Sequence, residues 1–406
     1  MKKVLYISYD GMTDPLGQSQ VLPYLQGLAK EGYQFTLLSF EKKDRFEKNH
    51  AVIEKICAAA GIEWVPLFFT ARPPVLSKIY DQYRLLRKAK ALHAANNFSM
   101  IHCRSYVAAA AGMQLQQEKG VPFLFDMRGF WVDERVDNGQ WNLANPFYKI
   151  AYNRYKKKEQ EYFNTAAHII SLTHKGKDEM VNRYKVPAGN ITVIPCCADL
   201  AHFDYHRVSD ADKAALRKQI GLGENDKVLC YLGSLGGWYL TEEMLDFFTV
   251  LRQSTPDLKF LFITHDKRDS ILFKAAAKGI AAEDIITVPA SRAEVPGLLA
   301  ISHWSIFFIK DAYSKKASSP TKQGEIMAMG IPVICNDIGD TGKIVEDAGS
   351  GIVVRELNEQ GYRKAAEQAA TLLQIDREKI RQGAVACYDL RHGVESYLEV
   401  YRKLVP

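Results

Sequence analysis

The sequence predicts an α/β protein built as two Rossmann-like, doubly wound parallel-sheet domains, and three observations carry that prediction. At 406 residues the chain exceeds what one hydrophobic core usually organises, so two domains are expected. Short apolar runs alternate with segments of helical period in both halves, the pattern of parallel strands joined by covering helices. Glycine-bearing or highly charged loops follow several of those runs, at the strand ends where open α/β sheets bind ligands.

Composition narrows the class. Hydrophobic residues make up 47% and charged residues 25%, as in a globular protein rather than a disordered chain. A net charge of +6 suits an anionic substrate or membrane surface, and no nucleic-acid motif accompanies it. The seven cysteines are odd in number and lack CxxC spacing, which predicts reduced thiols in a cytoplasm. No apolar run reaches the roughly 18 residues of a membrane span, and MKKVLYISYD meets Asp10 too early for a signal peptide. The expected location is cytoplasmic, or peripheral on the inner face of the cell membrane.

In chain order, Val4 to Tyr9 reads as a strand, DGMTDPLGQSQ as its loop, and Gln20 to Lys30 as a helix carrying Val21, Leu22, Leu25 and Leu28. Gly11 and Gly17 permit close backbone approach in that loop. Further strands are expected at Phe35 to Phe40, Ile62 to Leu67, Met100 to Cys103, Val121 to Asp126, His168 to Leu172 and Ile191 to Ile194. The second half repeats the scheme at Val228 to Leu232, Lys259 to Thr264, Ile285 to Val288, Trp304 to Ile309, Pro332 to Asn336 and Ile352 to Val354.

Several strand ends carry chemistry. FDMRGFWVDER places Asp126, Arg128, Asp133, Glu134 and Arg135 around Gly129 and Trp131, either as sugar or acceptor contacts or as a network that orders the loop. Arg104 suits an anionic group on an acceptor, and solvation accounts for it equally well. In GSLGGWY, Gly233 to Tyr239, Gly233 and Ser234 fit a phosphate approach, while Trp238 or Tyr239 either stacks on a base or sugar or packs in the core. His265 and Asp266 end another strand beside a base or in a structural role. Between Val75 and Ala95, Leu76, Ile79, Tyr83 and Leu86 form a stripe beside Lys78, Arg84, Arg87, Lys88 and Lys90, and Arg154 to Lys158 adds a second basic cluster. That pattern predicts binding to an anionic membrane, with a solvated basic helix as the alternative.

The stretch ASSPTKQGEIMAMGIPVICN, residues 317 to 336, is the most informative. Ser319 suits an N-cap and Pro320 the first helical position, and Gly330 with Pro332 ends a helix of about ten residues before an apolar strand. Unpaired amides at the helix start, with Ser318, Ser319, Thr321 and Lys322 beside them, make an anion site fit for phosphate. Glu325, one turn beyond Thr321, is placed to accept hydrogen bonds from a ribose. A buried helix-strand unit with no ligand is the alternative.

This segment resembles the donor-binding motif of the family 4 retaining glycosyltransferases, in which two glutamates separated by seven residues precede an A-M-A-x-G-x-P-V-I ending. Glu325, Ala328, Gly330, Pro332, Val333 and Ile334 match it, while Ala317 stands at the first glutamate. PCCADLAHF, Pro195 to Phe203, resembles the family's interdomain segment through Asp199 and Phe203. The resemblance implies the GT-B fold, two domains facing across a cleft: 1–195 on the acceptor side, joined by a returning C-terminal helix within 390–406, and 196–389 binding the nucleotide sugar. It implies transfer of a sugar, with retention, from a nucleotide donor to a saccharide, glycolipid or glycoprotein acceptor, lipid-linked forms included, as in cell-surface glycan synthesis. Gly17 would then lie between donor phosphates and acceptor. Asp126 and Arg128 stand where family members carry a histidine on the donor sugar, and Lys322 would hold the leaving phosphate. No cofactor or metal is expected.

Family members with diphosphate donors carry an arginine and a lysine in the loop that here reads Gly233 to Thr241 without either. A CMP-linked acidic sugar, its carboxylate met by Arg128 or Arg104, is therefore an alternative donor. UDP- or GDP-sugars require Lys310, Lys315, Lys316 or Arg292 to fold into the vacant place. A sugar-nucleotide epimerase or hydrolase, and a non-catalytic binding scaffold, are the remaining alternatives.

Overall fold

Strands that are apolar on both faces are satisfied inside a helix-covered parallel sheet, and every pairing between the named strands is parallel in the computed structural model, which describes residues 2–405. Among the described residues, the first sheet has seven strands: β1 (Lys2–Ser8), β2 (Tyr33–Glu41), β3 (Glu63–Phe68), β4 (Met100–Arg104), β5 (Phe123–Asp126), β6 (His168–Ser171) and β7 (Ile191–Val193). Their order is β3-β2-β1-β4-β5-β6-β7. The second sheet holds β8 (Lys227–Leu232), β9 (Leu258–Ile263), β10 (Ile285–Val288), β11 (Trp304–Phe307), β12 (Val333–Cys335) and β13 (Gly351–Val353), ordered β10-β9-β8-β11-β12-β13. In each sheet the order reverses beside the first strand, between β1 and β4 and between β8 and β11. The carboxyl ends of those strands are where a doubly wound sheet opens a crevice.

The chain divides into two units. Unit 1 contains Met1–Pro195, Lys316–Ser318 and Leu390–Pro406, and unit 2 contains Cys196–Lys315 and Ser319–Asp389. In unit 1 the last helix, Leu390–Leu404, packs on the helix Leu22–Lys30. Gly27 makes this possible, since a Cβ there would come within 2.6 Å of Val394 Cγ2. In unit 2 the core is built around Trp304, Tyr231, Phe247 and Phe248. Cys103, Cys230 and Cys335 are buried thiols outside any disulfide.

Two local expectations are corrected. Residues Pro15–Gln20 of the first loop form a short helix, because Pro15 supplies the fixed φ of a helix start. Gly17 therefore lies inside a helix, pressed against the Gly11 carbonyl, where a Cβ would sit at 2.3 Å. The helix of the 317–336 stretch runs over eight residues, Thr321–Ala328. Its N-cap is Pro320, and Ser319 instead accepts a hydrogen bond from the Cys196 amide at 3.2 Å, so Ser319 ties down the preceding segment.

The far end of that helix is anchored by Arg381, which donates to the carbonyls of Ala328 at 2.6 Å, Phe203 at 2.7 Å and Leu200 at 2.8 Å. Three charge-assisted bonds from a largely buried guanidinium satisfy carbonyls that would otherwise be left unpaired. Arg381→Ala is expected to destabilise unit 2 by about 2–4 kcal/mol. Urea unfolding followed by tryptophan fluorescence checks this, and an unchanged midpoint would refute it.

Candidate active site

The strongest feature of unit 2 is the ammonium of Lys322. Its side chain leaves the first turn of Thr321–Ala328 and is buried, and among the described residues Nζ has no hydrogen-bond partner. Two ring faces receive it: Nζ lies 3.6 Å from the Tyr239 centroid and 4.1 Å from that of Tyr231. Gly233, at φ +110°, passes so close that an added Cβ would stand 3.1 Å from Nζ. Burial pulls the lysine down to about 7, and the nearby Glu325 carboxylate restores only part of the loss. Cation–π attraction contributes roughly 0.5–2 kcal/mol per ring, less than the several kcal/mol a buried unpaired charge costs. An oxyanion is what this position lacks.

The surrounding loop is held rigidly. The Ser234 carbonyl accepts from Tyr231 Oη at 2.6 Å, and Asp266 accepts from the Leu235 amide at 2.5 Å and from Thr264 Oγ1 at 2.8 Å. The Lys310 amide donates to the Trp238 carbonyl at 2.8 Å, and the Lys315 ammonium stands 3.8 Å from the Trp238 ring centroid. Lys315 has thus folded against the loop whose own sequence lacks a cation. Trp238 supports that lysine, and Tyr239 supports Lys322. His265, exposed, meets the Ala290 carbonyl at 3.1 Å, while Asp266 orders the loop.

Glu325 is half-buried and receives Arg292 Nη1 at 3.4 Å. Burial raises its carboxyl, and the Arg292 and Lys322 charges oppose that rise. Arg292, a candidate from the sequence for the phosphate place, is found on this carboxylate, 33 residues away along the chain. Ser318 and Thr321 are half-buried near the helix start. Ala317 is fully buried, and an ideal Cβ on Gly176 would come within 2.9 Å of its methyl group. The position of the first glutamate is thus held by a buried methyl group beside the Gly176 backbone.

Unit 1 gathers its charges at the ends of β4 and β5, where Arg104 and Asp126 are register partners. Asp126 is 1% exposed. Arg128 Nη1 lies 3.6 Å from its Oδ1, His102 Nε2 3.6 Å and Arg104 Nη1 3.9 Å from its Oδ2, and Tyr397 Oη donates to Oδ2 at 3.1 Å. Burial alone would raise the Asp126 carboxyl, but the Arg128 charge, with His102 and Arg104 behind it, holds it at about 2. His102 is pushed down by burial, and its Nδ1 meets Tyr401 Oη at 2.6 Å. Asp126 is thus an ionised anchor for two guanidinium groups, wired to the last helix by tyrosines that no local motif announces.

The glycine loop after β1 has a second unannounced partner. Buried Glu41 accepts from the Met12 amide at 2.8 Å, the Thr13 amide at 3.1 Å and Thr13 Oγ1 at 2.6 Å. These amides are spent on an internal carboxylate, and Gly17 serves the packing of the turn beside them.

Since the folded Asp126 carboxyl sits below its unfolded value of about 3.9, its contribution is present above pH ~4 and is lost as pH falls towards 2. Asp126→Asn is expected to cost on the order of 2 kcal/mol at pH 7, with the gap to wild type narrowing between pH 4 and 2. Denaturant titrations across that range check it, and a pH-independent gap would contradict it.

Residues 19–202 match the family described as Glycosyltransferase Family 4, and residues 212–384 match Glycosyl transferases group 1. The D-inositol 3-phosphate glycosyltransferase of Rhodococcus jostii is 22% identical over 333 residues, covering 78% of this chain and 68% of that protein. Among solved structures, a Rickettsia africae glycosyltransferase superposes with a TM-score of 0.72 at 14% identity, covering 99% of this chain and 98% of that one. Anabaena Alr3699/HepE, solved with UDP and glucose, gives 0.68 at 15% identity, covering 99% and 100%. The two profile matches, on a fold shared with these structures, make this chain a family 4-like glycosyltransferase of the GT-B fold.

Proposed function

We propose that unit 2 binds a nucleoside diphosphate sugar and that unit 1 supplies the acceptor side, the sugar passing to the acceptor with retention of configuration. The observation that carries this reading is the buried Lys322 ammonium, which lacks an acceptor at the start of a helix. A donor phosphate there completes the hydrogen bonding that the protein leaves open, and it draws on the helix amides as well. As the leaving phosphate gains charge, a preorganised cation and amides stabilise it without reorganisation. Retention rests on the family resemblance alone.

A second cation decides between donor classes. A monophosphate such as a CMP-linked acidic sugar needs one positive group, whereas a diphosphate needs more. Lys315, held on Trp238, supports the diphosphate, and the UDP named with Anabaena Alr3699/HepE favours uridine. Arg292 is engaged by Glu325, so the ribose role of Glu325 requires that pair to open or to share the carboxylate.

Calorimetric titration of UDP, GDP and CMP tests the assignment. UDP or GDP should bind, and Lys322→Met should weaken binding about 30-fold or more, the 2 kcal/mol or more expected when one partner of a buried charge pair is removed. Tight CMP binding without diphosphate binding would overturn it. Because an anion keeps Lys322 protonated and the free lysine sits near 7, diphosphate affinity should fall as pH rises from 7 to 9. Lys322→Arg should flatten that profile.

The phosphates' charge is met in this reading by lysines and helix amides, with no divalent metal. Turnover should therefore persist in EDTA, and loss that Mn²⁺ or Mg²⁺ restores would refute it.

Peripheral attachment to an anionic membrane from inside the cell, next to a lipid-linked acceptor, completes the proposal. No described helix is long and apolar enough to cross a membrane. In the helix Pro74–Asn96, Leu76, Ile79, Tyr80 and Tyr83 are exposed while Leu85, Ala89 and Leu92 face the core, and Leu86 falls between, half-buried. The Val75 side chain lies outside the described residues. Phe147 (82% exposed) and Ile150 (66%) on the helix Pro146–Thr165 are further exposed apolar side chains, which the sequence pattern missed. The helix Pro74–Asn96 follows β3 and Pro146–Thr165 follows the short helix Trp131–Asp137, and Lys78, Lys149 and Arg154 on them are exposed. Basic and apolar residues together match an anionic bilayer. Flotation with phosphatidylserine-containing vesicles should be salt-sensitive and weakened by Leu76→Ser with Phe147→Ser; flotation independent of anionic lipid would count against it.

A further inference from the structure

Asp199 and Phe203, the two residues of the 195–203 segment that follow the family pattern, shape a turn in unit 2 that ends against Arg292. Asp199 Oδ1 accepts from the amides of Ala201 and His202 at 3.1 Å each, and the Asp199 carbonyl accepts from the Phe203 amide at 2.9 Å. The turn presents two side chains to one residue. His202 Nε2 meets the Arg292 carbonyl at 2.9 Å, and the Arg292 guanidinium carbon lies 5.3 Å from the centroid of the buried Phe203 ring. The backbone around Arg292 is fixed as well: His265 Nε2 meets the Ala290 carbonyl at 3.1 Å, and Glu294 accepts from the Ser291 amide at 2.8 Å and from Ser291 Oγ at 2.6 Å. Arg292 is thus built in place although its side chain is 44% exposed.

At the tip of that side chain stands Glu325. Arg292 Nη1 lies 3.4 Å from Glu325 Oε1, and no other described residue donates a hydrogen bond to this carboxylate. An ion pair between two mobile surface side chains contributes little. This pair differs, because Glu325 is 13% exposed and its partner is anchored through its backbone and its ring contact. We propose that Arg292 positions Glu325 for the donor: the guanidinium stays on Oε1 while the ribose hydroxyls take Oε2, so that arginine and ribose share the carboxylate. This role rests on the proposed part of Glu325 as ribose acceptor. One long bond to one oxygen leaves most of the carboxylate's acceptor capacity to a ligand. Burial raises the Glu325 carboxyl, and the Arg292 charge is the first influence that opposes it, with Lys322 and His202 behind. An ionised carboxylate accepts stronger hydrogen bonds than a protonated one, so loss of Arg292 weakens the ribose contact most where the acid begins to take up its proton. Arg292 itself touches no reacting atom.

The test is calorimetric titration of the full chain with UDP and 2′,3′-dideoxy-UDP, and with GDP and its dideoxy counterpart, at pH 5.5, 7 and 8. The ratio of affinities within a pair reports the ribose contact alone, because phosphates, base, Lys322 and His202 act on both members alike. Wild type should prefer the ribose form by about tenfold or more at pH 7. Arg292→Met should cut that preference by about threefold or more, and further at pH 5.5 than at pH 8, with the melting temperature unchanged. Arg292→Lys, which keeps the charge, should restore most of it. An unchanged preference in Arg292→Met, both nucleotides being weakened equally, would place the arginine on the phosphates and overturn the proposal. A preference that grows when Arg292 is removed would make the arginine a competitor for the carboxylate and overturn it too. Glu325→Gln separates the two levels: if it removes the preference while Arg292→Met does not, the ribose reading stands and the role of Arg292 fails. If Glu325→Gln leaves the preference intact, or neither UDP nor GDP binds, the reading beneath fails and the role of Arg292 falls with it.

Discussion

A buried ammonium needs either compensation or a ligand, and much of unit 2 is arranged around that requirement at Lys322. Tyr231 and Tyr239 turn their faces to Nζ, and Gly233 gives up its side chain so that the backbone can pass. Asp266 fixes the loop that carries Tyr239, and the ladder between Trp238 and Lys310 keeps the loop against the end of β11. Removing the cation would leave the aromatic box without purpose, and removing the box would leave the cation to water. The helix that presents Lys322 is itself pinned at its far end by Arg381, so the ammonium is positioned from both termini of one short element.

The site departs from the pattern it resembles in a consistent direction. Where the first glutamate would stand, Ala317 is buried against Gly176, and where a loop arginine and lysine would stand, the chain brings Lys315 and Lys322 from the other side. The acidic contribution is thus reduced to Glu325, and its charge is already balanced by Arg292. The described surroundings of this helix start thus hold two lysines on aromatic rings and one carboxylate that is already paired.

In unit 1 the organising charge has the opposite sign. Asp126 stays ionised in a dry setting because two arginines surround it and Tyr397 donates to it, and the last helix is the source of that tyrosine. Tyr401, one turn on, holds His102, and the two tyrosines pack edge-on against Tyr24 of the helix Leu22–Lys30 and Tyr33 of β2. The returning helix therefore does more than cover apolar surface: it completes the hydrogen bonding of the strand ends.

Parallel strands buried on both faces read directly as apolar runs, and for that reason β1 to β13 were legible from the sequence to within a few residues. The motif around Glu325 was legible too, because helix signals and a terminal glycine are local chemistry, although the cap itself moved by one position to Pro320. Partners distant along the chain were not legible. Arg292 on Glu325, Lys315 on Trp238, Glu41 on the first loop and Tyr397 on Asp126 join residues that sequence spacing cannot relate, since only the folded arrangement of strands, loops and the last helix brings them together. The amino-acid sequence by itself determined two doubly wound sheets and the helix that carries Lys322 and Glu325. Only the tertiary structure decided which lysine is left without an acceptor and which carboxylates are already taken, because burial and pairing are properties of neighbours in space, supplied here by strands and helices far apart in the chain.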